Sequence, residues 1–342
     1  MKAVVRCGLG LAAAVLLASS AAAQERTLVL SAFGVSQDLL RKDLYAPFEA
    51  KCKCKVVVNV GNSADRLAKL EARKDNPEVD VAVLADFSAL EAAQKGLIEP
   101  IDVSRLSNYG KLYDLAKDPI GNHYGVGYTY FATSIIYRSD KVAINSWADL
   151  WKPELKGRLA LPNITTTQAP LMLMMVDKAF GSTSPDFSTA ISKVAGIKGD
   201  VVTFYERSAQ LVQLFQQDEI YAAVAGRFNW PLVRKLNMPL AWATPKEGLT
   251  GGTNVLVIPR GAKNKDLAYA FINEWISTEA QTRIAMDLVD SPANKDVKLP
   301  PEVAEGLTYG KDTVKALNLI APTQMLLHRK DWVNGWNAKV AR

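Results

Sequence analysis

Apolar residues along this chain recur at two spacings in turn, and that alternation sets the expected fold. TLVLSAF (27–33) is a short apolar run ending in small and polar residues, which predicts a strand. VSQDLLRKDLYAPFEAK (35–51) carries its apolar residues three and four apart, the period of a helix packed on a sheet. KVVVNVG (55–61) is almost continuously apolar, which predicts a parallel strand covered on both faces. Asn62 and Ser63 precede ADRLAKLEARK as helix caps. DVAVLAD (80–86) predicts a third strand, and FSALEAAQKG a helix that stops at Gly96. Three strand–helix repeats in so short a length predict a doubly wound α/β unit.

The pattern then repeats. YGVGYTYFATSIIYR (124–138) predicts two extended segments, and SWADLWKPELKGRLALPN (146–163) a helix, a turn and a strand. ITTTQAPLMLMM (164–175) opens a helix on three threonines. VVTFY (201–205) and IYAAVAG (220–226) read as buried strands, separated by a helix for which Ser208 is the expected cap; FNWPLVRKLN turns back into a helix. LTGGTNVLVIPRG (249–261) reads as a glycine-rich turn into a strand, followed by two amphipathic helices joined at Ser277. VDSPANKDVKLPPE is proline-rich and irregular, and QMLLHRKDWVNGWNAKV is a terminal helix. The extended segments near 125–135 and 249–258 are expected to lie side by side as crossovers between two lobes, forming a hinge around a cleft.

In open α/β sheets ligands sit beyond the carboxyl ends of the strands, where helix N-termini offer free N–H groups. The residues at those ends are therefore the candidate ligand contacts. The first half supplies Ser31 and Phe33, Ser63, and Asp86 with Phe87. The second supplies Thr165, Thr166 and Thr167, then Tyr205, Glu206, Arg207 and Ser208, then Arg227, Asn229 and Trp230. Tyr128, Tyr130 and Thr253 come from the crossovers. Hydroxyls, helix starts and guanidinium forks suit oxyanions, and Asp86 or Glu206 suits an amine at the far end.

The first 23 residues stand apart from this pattern. A basic start, an apolar core from Leu9 to Leu17 and Ala21-Ala22-Ala23 fit a cleaved export signal. No cysteine follows the expected cleavage site, so lipid attachment there is not expected. Removing Lys2 and Arg6 with the leader leaves 39 basic side chains against 35 acidic, a small and dispersed excess with no nucleic-acid-binding stripe. Cys52 and Cys54 remain as either a bridge across one residue or two free thiols; two histidines offer little for a metal site. No nucleophile elbow, phosphate loop or paired histidines at metal spacing occur, so no catalytic residue, metal or cofactor is assigned, and the chain is read as a non-enzyme.

Five segments in order carry a resemblance: NVGNSADRLAKL, DVAVLADFSALEAAQKGLIEP, GVGYTYFATSIIYRSD, SWADLWKPELKGRLALPN and GGTNVLVIPRGAKNKDLAYAFINEWISTEAQ. Together they resemble the bacterial periplasmic solute-binding proteins of ABC importers with the type II two-lobed fold, in the branch of ferric, polyamine, thiamine and phosphonate binders. The resemblance implies an α/β protein whose two lobes are mostly parallel sheets flanked by helices and joined by a two-strand hinge. With the crossovers as boundaries, residues 24–127 plus 253–305 form one lobe and 128–252 plus 306–342 the other. It further implies a periplasmic monomer that takes a small-molecule ligand to a membrane permease, with no nucleic-acid partner. The first expectation for the ligand is an organic anion or zwitterion such as a phosphonate or phosphate ester. A polyamine is the alternative, although Gly251-Gly252-Thr253-Asn254 stands where that branch carries an acidic residue. Ferric ion is disfavoured, because Arg227-Phe228-Asn229-Trp230 stands where the ferric binders place paired tyrosines. A sensory role, with the liganded protein docking on a receptor, is the reading outside transport.

Overall fold

The computed structural model describes residues 26–341; the leader expected over 1–23 lies outside them. β1 (Arg26–Ala32) leads into a helix that starts as α1 (Gln37–Leu40), widens to a π-turn over Arg41–Tyr45 and ends as α2 (Ala46–Cys52). β2 (Cys54–Val60), α3 (Ser63–Ala72), β3 (Val81–Ala85), α4 (Asp86–Gln94), β4 (Ile98–Glu99) and α5 (Asp114–Lys117) complete the first half. A long strand, β5 (Val126–Arg138), crosses into β6 (Leu159–Pro162), α6 (Gln168–Ala179), α7 (Ser188–Ile197), β7 (Val201–Tyr205), α8 (Gln210–Gln216), β8 (Ala222–Gly226), α9 (Trp230–Val233) and β9 (Leu240–Trp242). The chain returns on β10 (Thr250–Pro259), α10 (Lys265–Trp275), α11 (Thr278–Met286) and β11 (Ser291–Pro292), and ends with α12 (Pro301–Ala304), α13 (Lys311–Lys315) and α14 (Pro322–Lys339).

The main path of the sheet runs β2-β1-β3-β10-β5-β8-β6-β7. Pairs β1/β2, β1/β3, β6/β7 and β6/β8 are parallel, as strand–helix repeats require, while β10 runs antiparallel to both β3 and β5. Each flank is covered on both faces. Leu28, Leu30, Phe48, Phe271 and Trp275 belong to a core on one side of the first flank, and Leu67, Leu84, Ala89 and Val255 to a core on the other. The second flank has Trp147, Leu161, Met172, Val224, Trp332 and Trp336 on one face and Tyr205, Leu211, Phe215 and Ala223 on the other.

The two crossovers do lie side by side. β5 and β10 pair from Val126↔Leu256 to Thr133↔Thr250, and β5 then continues alone to pair β8 from Thr133↔Gly226 to Tyr137↔Ala222. The two extended segments expected over 124–138 are thus one unbroken strand. Gly251 and Gly252 sit inside β10 rather than in a turn before it, and the reason is space. A Cβ on Gly251 would stand 2.0 Å from the Phe131 carbonyl oxygen, and one on Gly127 would stand 2.9 Å from the Ala116 Cα.

Local expectations also shift where neighbours intervene. β2 is an edge strand, so Val57 and Val60 are 39% and 53% exposed instead of covered on both faces. The segment expected as a helix after Ser146 forms two short 3₁₀ turns, Trp147–Trp151 and Pro153–Leu155. Asn62 does cap α3, with Asp65 completing a capping box, but Ser63 turns its hydroxyl to the Ala85 N–H and the Arg66 guanidinium. Ala209, not Ser208, occupies the N-cap of α8, and no side chain caps that helix. Cys52 and Cys54 are bridged, with Cα atoms 5.2 Å apart. Cys52 ends a helix, Cys54 begins a strand, and Lys53 between them has φ of +51°, so the turn brings together side chains that a straight strand would hold apart.

Because the sheet depends on the β5–β10 ladder, Gly251→Ala should cost about 1–3 kcal/mol, read as a lower urea midpoint. An unchanged midpoint would show that the ladder tolerates a shift at this position.

Candidate functional site

A cavity of about 540 Å³ opens between the two flanks of the sheet. The first flank contributes Phe33 beyond β1, Asn62, Ser63 and Asp65 at the start of α3, and Phe87 at the start of α4. The second contributes Thr165, Thr166 and Thr167 before α6, Tyr205 at the end of β7, then Glu206, Arg207 and Ser208, then Phe228 and Asn229 after β8. The crossing strands supply the floor through Tyr128, Phe131 and Asn254. All of these are strand ends, helix starts or crossing-strand residues, so the general geometry of open α/β sheets accounts for their convergence.

Twelve of the residues expected at the site line this cavity: Phe33, Ser63, Phe87, Tyr128, Thr165, Thr166, Thr167, Tyr205, Glu206, Arg207, Ser208 and Asn229. Six do not. Ser31 lies within the sheet, opposite Asn59 and Ala82, because β1 continues one residue past it to Ala32. Asp86 turns its carboxylate back to the Phe87 N–H at 2.7 Å, and burial raises its pKa to about 6. Thr253 is buried in the ladder opposite Tyr130, whose ring faces Tyr113. Trp230 packs on the core under α8 and α9. Arg227 donates to the backbone carbonyls of Glu305 and Gly306 and lies with its guanidinium carbon 4.6 Å from the Trp242 ring centroid. Its fork is therefore spent on protein, and burial lowers its pKa to about 10.

The threonine cradle also differs from expectation. Thr165 donates its hydroxyl proton to the Asn163 side chain at 3.1 Å, and Thr166 donates to the Asn163 carbonyl at 2.8 Å. Hydroxyls that have given their protons away can still accept a hydrogen bond, so they suit a donor such as ammonium better than an oxyanion. Thr167 holds the N-cap position of α6 without a side-chain bond to its N–H groups.

The charges in the cavity are the other distinguishing feature. Glu206 and Arg207 at the mouth are exposed and form no ion pair with each other or with any other described residue. Asp290, from the irregular segment before β11, lines the cavity together with Tyr128, Asn254, Val289 and Trp275. Among the described residues no cation forms an ion pair with it; Thr129 lies beside it and donates its hydroxyl to the Tyr130 carbonyl at 3.2 Å. Burial raises the Asp290 pKa to about 7. The phenols of Tyr45 and Tyr128 are raised above the usual tyrosine range, chiefly by burial and further by the charge of the same carboxylate. The Tyr128 and Trp275 rings lie 4.6 Å apart, and the Trp275 indole N–H has no hydrogen-bond acceptor. On the neighbouring wall the Arg66 guanidinium carbon stands 3.7 Å from the Phe33 ring centroid. Phe131 and Phe228, 6.4 Å apart, form an apolar wall.

Sequence reasoning missed Phe131, Asn254, Trp275, Asp290 and Arg329 as cavity residues, whereas Phe228 belongs to the strand-end run 227–230 that it took as a wall of the cleft. Asn254 adjoins Thr253, which it did select. Asp290 carried no local signal, being one carboxylate in a loop that reads as irregular. Among the described residues, no group of three or more His, Cys, Asp or Glu side chains is placed to hold a metal ion.

Comparison with known proteins adds four findings. The model of a family described as bacterial extracellular solute-binding protein matches residues 43–309. The spermidine/putrescine-binding periplasmic protein of Escherichia coli (strain K12) is 27% identical over 279 residues, covering 79% of each chain. The putrescine-binding periplasmic protein PotF of the same strain is 28% identical over 315 residues, covering 84% of each. A crystal structure of an ABC transporter from Clostridium perfringens ATCC 13124 superposes with a TM-score of 0.76 at 34% identity, covering 92% of this chain and 99% of that one.

Since its guanidinium ties β8 to the segment at 305–306, Arg227→Ala should lower stability by about 1–3 kcal/mol in a urea titration without ligand. Unchanged stability together with lost solute binding would return Arg227 to the site.

Proposed function

The chain belongs to the bacterial extracellular solute-binding protein family of ABC transporters, and from that premise we propose that it captures a small amine-bearing solute in the cavity between the two flanks of its sheet. The observation that carries this reading is Asp290. A carboxylate left without a cation in an aromatic-lined cavity is costly in the free protein and favourable once an ammonium group reaches it. The Tyr128 and Trp275 rings beside it offer π faces to the same cation. The hydroxyls of Thr165 and Thr166 are acceptors in this arrangement, and Glu206 adds a second carboxylate at the mouth. The polyamine specificity of the Escherichia coli relatives supports an amine. An anion without an amine loses the Arg227 fork and the protons of two threonines that the sequence alone assigned to it.

In this reading the protein delivers its solute to the membrane permease of an ABC importer as a periplasmic monomer, its leader removed near Ala23, and it binds without turnover. The two lobes are 24–127 plus 253–305 and 128–252 plus 306–342, hinged on β5 and β10. Solute entering the open cavity meets one lobe, and the other rotates in to complete the polar shell; closure is favoured only by contacts made in the closed form.

Two measurements test the amine. A thermal-shift screen of diamines, polyamines and amino acids should find a binder, and at a hundredfold its dissociation constant that compound should add about 2.7 kcal/mol of stability. Asp290→Asn should weaken it at least about tenfold while stabilising the ligand-free protein at pH 8, where the native carboxylate is charged and unpaired. Retained affinity in that variant would remove Asp290 from the site.

The pH dependence follows from the raised pKa. A carboxyl whose folded value lies above its unfolded value contributes stability while protonated. That contribution is complete below the unfolded value near 4 and is lost as pH rises through about 7. An ammonium ligand selects the ionised form, so affinity should rise about tenfold between pH 6 and pH 8, with proton release seen as a buffer-dependent enthalpy. The Asp290→Asn variant should lose this slope.

A further inference from the structure

The C-terminal helix α14 carries its buried side chains on one stripe, Met325, Trp332 and Trp336. Arg329 falls on that stripe, four residues after Met325 and three before Trp332, so an arginine occupies a core-facing position. α14 packs against α4 on the first flank and α7 on the second, which fixes the backbone from which Arg329 projects. Its guanidinium carbon lies 5.0 Å from the Phe87 ring centroid, and the side chain lines the same cavity as Asp290. Among the described residues it has no hydrogen-bond acceptor and no ion-pair partner; Glu91 acts on it from a distance, and burial lowers its pKa. A half-buried guanidinium with nothing to hold is destabilising in the free protein, as is the uncompensated Asp290 carboxylate.

The cavity therefore holds two unsatisfied groups of opposite sign that do not pair with each other, with the rings of Phe33, Phe87, Phe131 and Phe228 around them. A diamine would satisfy Asp290 and set an ammonium in the field of Arg329. A dicarboxylate would satisfy Arg329 and repel Asp290. From this arrangement we infer that the solute is a zwitterion: an ammonium group held by Asp290, an oxyanion held by Arg329, and a short aliphatic body against the phenylalanine rings. Arg207, exposed and unpaired, is a second guanidinium lining the same cavity. This rests on the amine reading above and narrows it.

The test uses the mature chain and four probe classes of matched length: ω-amino carboxylates, ω-amino phosphonates, α,ω-diamines and α,ω-dicarboxylates, by titration calorimetry at pH 8. One of the two zwitterion classes should bind at least about 30-fold more tightly than the diamines and dicarboxylates, since a lost charge-assisted bond commonly costs 2 kcal/mol or more. The carboxylate and phosphonate arms identify which oxyanion is held. Arg329→Gln should remove that preference, weakening the zwitterion at least tenfold while leaving diamine affinity unchanged or improved, and Arg329→Lys should restore part of it. Diamines binding as tightly as the zwitterions, or an Arg329→Gln protein with native preference, overturns the zwitterion and leaves the amine standing. Dicarboxylates binding best, or no probe binding at 10 mM, overturns the amine as well. The ranking of probes on the unsubstituted protein decides the matter even if the variants fail to fold.

Discussion

The antiparallel ladder between β5 and β10 holds this structure together. Each of the parallel strands pairs within its own flank, and only these two long strands carry hydrogen bonds across the middle of the described sheet. Their side chains are correspondingly constrained. Gly127, Gly251 and Gly252 leave room for the neighbouring chain, while Tyr128, Phe131 and Asn254 project into the cavity as its floor. Stability and site geometry thus meet in the same residues, because the hydrogen bonds that join the flanks also set the spacing of the walls. A bulge between Asn254 and Val255 shifts the register within this ladder, and bulges re-aim the side chains around them.

Charge placement bears directly on what the cavity can bind. Several ionised side chains outside it are matched: Lys51 with Glu274, Lys95 with Glu71 and Glu91, Lys265 with Glu99, and Arg138 with Asp140 and Asp218. Within the cavity, Asp290, Arg329, Glu206 and Arg207 are left unmatched. Surface pairs of the first kind contribute little to stability, whereas withholding partners from the half-buried Asp290 and Arg329 costs the free protein something a solute can recover. That is preorganisation, and it favours solutes whose charges fit the vacancies over those that bury the same area without matching them.

Much of the cavity was legible in the chain, and the misreadings have physical causes. The period of apolar residues located the strands, and the rule that ligands gather at strand ends found twelve of the cavity residues from Phe33 to Asn229. Side-chain direction is what the rule lacks. Ser31 is held inside β1 and Asp86 turns to the Phe87 N–H, and Arg227 has the right chemistry but is engaged by the carbonyls of Glu305 and Gly306, nearly eighty residues away. Trp230 and Thr253 are taken up by cores. Edge placement explains β2, since its apolar run gives no hint that one neighbour is missing.

The sequence by itself determined the two strand–helix repeats, the pairing of their crossovers and the family resemblance, because apolar period, caps and turn residues are local properties encoded within a few positions of one another. Arg329 could also have been noticed there, as a charge on an otherwise apolar helical stripe. Tertiary structure alone decided which polar groups remain unsatisfied. Whether Asp290 is paired and whether Arg227 is available depend on residues distant in the chain, since satisfaction of a hydrogen bond or a charge belongs to a pair of groups and not to either one.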